Sequence, residues 1–124
     1  MTTVILDTSV IIDVLRGRPE ATSWLSGLSH LPTCSELTRV EILQGVRSAE
    51  RGPTERLLQT FRWAPVDEAI SRHAGELGRL FRQSHRSIGV ADLVIAATTI
   101  ELGAELATGN VKHFPMFERL RPPY

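Results

Sequence analysis

The 124-residue sequence holds one cysteine, one lysine and no formal net charge, and each scarcity removes a class of function. Cys34 has no second cysteine to pair with, and its neighbours Pro32, Thr33 and Ser35 offer no metal-ligand pattern, so neither a disulfide scaffold nor a cysteine-rich zinc module is indicated. No apolar run approaches the ~20 residues that cross a bilayer, so no membrane span is expected. Asp7 and Asp13 fall where the apolar core of a signal peptide would lie, without a basic opening or a small-residue cleavage site. The expected location is the cytoplasm. Fourteen basic residues balance fourteen acidic ones, which leaves no global field to draw in nucleic acid. Thirteen of the basic residues are arginine, with Lys112 the exception. Arginine's planar fork suits phosphate contacts, but an arginine-rich proteome accounts for the skew at least as well.

What is present is the composition of a folded domain: 42% hydrophobic and 23% charged residues, enough for one good core, so residues 1–124 are expected to form a single domain. Residues 3–6, TVIL, are a short β-branched and apolar run, and TSVIIDVLRG follows, with Thr8 or Ser9 able to cap a helix that Gly17 ends. Pro19 suits the first position of a second helix carrying Ala21, Trp24, Leu25 and Leu28. HLPTCS predicts a short second strand. A helix from Arg39 to Ser48, with Val40, Leu43 and Val46 on one side, then runs toward the RGP turn at 51–53. Thr54 caps a further helix with Leu57, Leu58 and Phe61 inward, and WAPV at 63–66 reads as a third strand. Asp67 caps the longest amphipathic helix, whose stripe is Ile70, Ala74, Leu77 and Phe81. In SIGVADLVIAATTIELG apolar residues surround the axis, which marks a central buried helix stopped by Gly103. AELAT at 104–108 is the fourth strand, GNVKHF the loop after it, and ERLRPPY a last short strand or a tail. Strands alternating with helices predict an α/β fold with a mainly parallel sheet, because parallel neighbours need a crossover between them. Ligands in such sheets sit beyond the carboxyl ends of the strands.

Four residues fall at that edge. Asp7 closes the first strand; its ordinary role would be a helix cap, but Thr8 and Ser9 offer the same service. Glu41 sits in TRVE, which matches a capping box with Thr38 as cap, in the first turn of the helix after the second strand. Asp92 is harder to explain structurally, because it interrupts an apolar segment where an isolated charge would cost several kcal/mol. The free N–H groups of a helix starting near Gly89 or Val90 supply part of the compensation, and a divalent cation could supply the rest. Asn110, in a Gly-Asn turn past the fourth strand, adds an amide oxygen. Two carboxylates ~4 Å apart repel by about 4 kcal/mol at an effective dielectric near 20, which a fold tolerates mainly around a cation or a shared proton. Oxygen-only ligands favour Mg²⁺ or Mn²⁺, and the chemistry that fits is metal-assisted cleavage of a phosphodiester. His113, near the Asn110 turn and beside Phe114, reads first as packing or surface and second as an RNA contact, and it is left out of the catalytic set. Arg72, Arg79 and Arg86, seven apart and with Arg82 beside them, read first as a solvated helix face and second as a phosphate or partner contact.

The segments LDTSVIIDVLRG, TRVEILQG and VADLVIAATTIELGAELATGNVKHF, in this order and over essentially the whole chain, resemble the PIN-domain nucleases, most closely the VapC-type toxins of bacterial and archaeal toxin–antitoxin pairs. That resemblance implies a parallel sheet of four or five strands in the order 3-2-1-4-5 with helices on both faces. Asp7 and Asp92 resemble the family's direct metal ligands, and Glu41 the acid that holds a second ion or a metal-bound water. Asn110 falls where many members carry a fourth acid, a departure that lowers the formal charge of the site by one and leaves a second ion less firmly held. Thr8, Ser9 and Thr108 match polar positions that support the acids. The implied activity is Mg²⁺- or Mn²⁺-dependent endoribonuclease cleavage of RNA, restrained by a cognate VapB-type antitoxin that inserts a C-terminal segment into the acidic groove, with members commonly homodimeric. The competing reading is a catalytically inactive module of the same fold that uses its groove for a protein partner. A phospho-aspartate hydrolase would want a carboxylate two residues after Asp7, where Ser9 stands, and no GxGxxG follows the first strand for dinucleotide binding.

Overall fold

In the computed structural model, which describes residues 2–124, the apolar run Val4–Leu6 is the central strand β1. It pairs in parallel with β2 (Thr33–Ser35) on one side and β4 (Glu105–Ala107) on the other, and β3 (Arg62–Ala64) pairs with β2. The order β3-β2-β1-β4 reproduces the first four places of the expected topology. Among the described residues there is no fifth strand. Pro122 and Pro123 cannot donate to a ladder, and the tail beyond Phe117 runs without strand pairing until Tyr124 meets Trp24, ring centroids 6.2 Å apart.

Six helices fill the connections: α1 (Thr8–Leu15), α2 (Pro19–Ser26), α3 (Glu36–Gly45), α4 (Arg51–Leu58), α5 (Glu68–Phe81) and α6 (Val90–Glu101). Asp67 caps α5 as its sequence predicts, accepting from the Ile70 N–H at 2.9 Å, and Ile70, Ala74 and Leu77 are buried along the stripe. Gly103, at φ +59°, takes the left-handed conformation that ends α6. Several boundaries differ from expectation, among them the end of α3 at Gly45 rather than Ser48 and β3 at Arg62–Ala64 rather than 63–66. The cap position of α1 belongs to Asp7 rather than Thr8 or Ser9, although its carboxylate makes no cap bond. α3 starts three residues before Arg39, because Ser35 accepts from the Leu37 N–H at 3.1 Å; Thr38 is therefore inside the helix, not its cap, and Val40 turns out to solvent at 56% exposure while Thr38 and Ile42 face inward. α4 begins at Arg51, ahead of the expected Thr54 cap, because Pro53 in a first turn gives up an N–H that has no helical partner anyway.

The core lies on both faces of the sheet. Side chains alternate along a strand, so Ile5 packs with α5, α6 and Phe114, while the adjacent Leu6 packs with Val10, Ile11, Cys34, Ile42 and Leu58 from α1, β2, α3 and α4. Seven consecutive residues of α6, Leu93 to Thr99, are buried, the central helix its composition predicts. Each such apolar side chain contributes about 1.5–3 kcal/mol by leaving water. Phe114, fully buried, anchors the loop after β4 and so fixes what that loop carries.

Candidate active site

The parallel pairing of β1 with β4 continues one residue past Leu6: the Asp7 N–H donates to the Ala107 carbonyl at 2.9 Å. That register brings Asp7 alongside Thr108, 101 positions away in the chain. Asp7 is 3% exposed, and its Oδ2 accepts from the Thr108 hydroxyl at 2.7 Å and the Ser9 hydroxyl at 2.8 Å. These hydroxyls are themselves fixed, Ser9 Oγ by the Gly109 N–H at 3.1 Å and Thr108 Oγ1 by the Asn110 N–H at 2.9 Å. Asp7 thus opens a helix without spending its carboxylate on it.

Glu41 projects from the second turn of α3, not the first, since that helix begins at Glu36. Its Oε1 accepts from the Thr8 hydroxyl at 2.6 Å, and Thr8 Oγ1 stands 3.4 Å from the Thr38 hydroxyl. Thr8 and Ser9, successive residues at the start of α1, therefore hold two different acids.

Asp92 is the third residue of α6, and its Oδ2 accepts from the Gly89 N–H at 3.0 Å, half of a capping box whose glycine has no side chain to return the bond. Nδ1 of His113 lies 3.3 Å from the same oxygen. Burial raises the pKa of Asp92 from its ordinary value; the Gly89 N–H and His113 oppose that rise, and the charge of Asp7 adds to it. The two aspartates therefore feel each other, and in each the protein's donors gather on Oδ2.

All of these groups line one cleft of about 500 Å³: Asp7, Thr8, Ser9, Glu41, Asp92 and Asn110, joined by Ile12, Asp13, Arg16, Ser87, Gly89, Ala91 and His113. Asn110 is exposed at its edge. Thr108 is buried behind Asp7. Among the described residues no three His, Cys, Asp or Glu side chains form a ready-made metal-ligand group. The donor set suits a hard ion that keeps waters and takes one or two carboxylates, since the acids present oxygen alone and have an oxygen apiece not taken by the bonds above. His113, expected as packing or surface, instead contacts Asp92; the clue was that a carboxylate buried in an apolar helix needs a counter-group, and the loop carrying Asn110 was the place to seek it. Of the arginine series, Arg72 pairs with Glu68 at 2.8 Å and Arg79 with Glu76 at 4.0 Å, all exposed, whereas Arg82 and Arg86 lie beyond the end of α5. The four do not share one helix face. A second groove of about 670 Å³, running along α1, α3 and the start of α4, shares Ile12, Arg16 and Glu41 with the cleft.

The acid-lined cleft lies at the carboxyl edge of a 3-2-1-4 parallel sheet, and the chain belongs to the PIN domain family, whose model matches residues 4–119. Within that family the chain is similar to Ribonuclease VapC19 of Mycobacterium tuberculosis, 44% identical over 123 residues that cover 97% of this chain and 98% of the relative. Among solved structures it is similar to a toxin–antitoxin complex from Klebsiella pneumoniae, with a TM-score of 0.82, 27% identity and 98% of each chain covered. It is also similar to VapBC-1 from nontypeable Haemophilus influenzae, with a TM-score of 0.76, 29% identity and 92% and 91% of the two chains covered.

Proposed function

We propose that the chain is the toxin of a toxin–antitoxin pair, an endoribonuclease that cuts RNA phosphodiester bonds with Mg²⁺ or Mn²⁺. The observation that carries this reading is the meeting of Asp7, Glu41 and Asp92 in one cleft, each with an oxygen held by a hydroxyl or a backbone N–H. Similarity to a named VapC ribonuclease over nearly the whole chain supports the same activity, and similarity to toxin–antitoxin and VapBC complexes supports a VapB-type antitoxin as partner.

In this reading Asp7 and Asp92 hold the divalent cation, with Glu41 beside them and Asn110 contributing at the edge. When bound, that cation polarises the scissile phosphate and lowers the pKa of the attacking water. Thr108 and Ser9 fix the Asp7 carboxylate by its Oδ2, Thr8 fixes Glu41, and Gly89 and His113 fix Asp92, so the acids are oriented before substrate arrives. Asn110 in place of an acid makes the site one charge less negative. We further take residues 1–124 to act as one catalytic domain, in the cytoplasm and as a homodimer; no helix among the described residues is long and apolar enough to cross a membrane.

The test is induced expression followed by mapping of new RNA 5′ ends, wild type against Asp7→Ala. New ends with the wild type and none with the variant are expected. Equal patterns from both would leave the cleft as a surface for a protein partner alone.

A further inference from the structure

Resting on the ribonuclease reading, we propose that Arg16 is the arginine that seats the RNA strand, contacting a phosphate next to the one being cut. A phosphodiester chain must enter a cleft whose wall presents the carboxylates of Asp7, Asp13, Glu41 and Asp92. Two of these already have a nitrogen partner: Asp13 pairs with Arg18 at 3.2 Å, and the imidazole Nδ1 of His113 lies 3.3 Å from Asp92. Arg16 is the one arginine on that wall, is exposed, and among the described residues makes no ion pair. It also stands where the acidic cleft meets the larger groove, since Arg16, Ile12 and Glu41 line both. A strand leaving the acids in that direction passes its guanidinium, whose planar fork matches two phosphate oxygens.

The position of Arg16 is set by the backbone. It is the C-cap of α1, one residue past Leu15, with its N–H donated to the Ile12 carbonyl at 2.9 Å, and Gly17 follows at φ +75°. A cation at a helix carboxyl end has a structural use, because it complements the carbonyls there. That use asks only for exposure at the helix end; it does not ask for a place on the wall shared by two cavities. A carboxylate from a protein partner would suit the same guanidinium, but the proposed reaction obliges a phosphate chain to come here and obliges no protein anion to do so.

The experiment compares Arg16→Gln, Arg16→Lys and, as a control away from the cleft, Arg72→Gln. Binding of a short fluorescent single-stranded RNA of mixed sequence is measured against salt in an Asp92→Asn background, and KM and kcat in the wild-type background. Arg16→Gln should lower the slope of log affinity against log salt by about 0.7, the value of one lost phosphate contact on a single strand, and should raise KM more than it lowers kcat. Arg16→Lys should retain the slope and Arg72→Gln should leave it unchanged. Identical slopes and KM for Arg16→Gln and the parent would overturn the assignment. So would a variant that binds RNA normally but has a lower Tm, a helix-end role, or one that loses only affinity for the antitoxin, a protein-contact role. If the wild type cleaves no RNA, the ribonuclease reading itself fails, which is a separate result.

Discussion

Thr98 and Thr99 in α6 and Thr108 after β4 are equally buried, at 0%, 1% and 0% exposure, yet their hydroxyls are used differently. Those of Thr98 and Thr99 donate to the carbonyls of Val94 and Ile95, four residues back in their own helix, at 2.7 and 2.8 Å. The hydroxyl of Thr108 donates to a carboxylate 101 positions away and accepts the Asn110 N–H. One arrangement solves a burial problem with whatever lies nearby. The other joins the first and fourth strands and determines which way Asp7 points. Buried polarity that closes on its own helix is packing; buried polarity that spans the sheet marks where the fold is held for a purpose.

The strongest way to test this contrast is at the acids. Asp92→Asn should abolish RNA cleavage in a gel assay while the fold persists, since the amide oxygen still accepts the Gly89 N–H and carries no charge to desolvate. Because burial raises the pKa of Asp92 in the folded chain, the folded state binds that proton more tightly than the unfolded one. Stability is therefore lost as pH climbs through the elevated titration range. In metal-free buffer the Tm of Asp92→Asn should equal or exceed that of the wild type above that range, with the gap closing toward low pH. A variant less stable than the wild type at every pH would show that the carboxylate is structural. Thr108→Val should be next in size. It leaves the buried Asp7 oxygen with Ser9 alone and strips the Asn110 N–H of its acceptor, which should cost about 1–3 kcal/mol in denaturant unfolding and roughly 10–100-fold in Mn²⁺ affinity by calorimetry. Thr98→Val, equally buried, should cost no more than about 1 kcal/mol and leave Mn²⁺ affinity unaltered, because the Val94 carbonyl is a helical carbonyl to which the hydroxyl bond is an addition. Equal losses of Mn²⁺ affinity at Thr98 and Thr108 would erase the distinction.

The parts of the fold visible beforehand were those whose signal is local and repetitive. The stripe Ile70, Ala74, Leu77 and the Asp67 cap give α5, and an all-round apolar segment closed by Gly103 gives α6. The start of α3 was misplaced because TRVE satisfies a capping-box pattern by itself, while the choice of Ser35 as cap depends on where β2 stops. That point is set by pairing of Ser35 with Ala64 in β3. In the site, Asp7 and Asp92 stood out as charges in apolar runs. His113 and Arg16 did not, since a half-exposed histidine and an exposed arginine break no pattern, and their meaning comes from what stands opposite them.

The sequence by itself determined the period of its elements, the alternation of strand and helix, and which carboxylates could not be explained as ordinary surface. Only the tertiary structure decided that Thr108 would clamp Asp7, that Thr8 and Ser9 would serve different acids, and that His113 would face Asp92. Hydrophobic periodicity is written into consecutive residues, but a hydrogen bond between residues 7 and 108 depends on parallel register, and register is fixed when Leu6 pairs with Ala107 and Ile5 with Leu106.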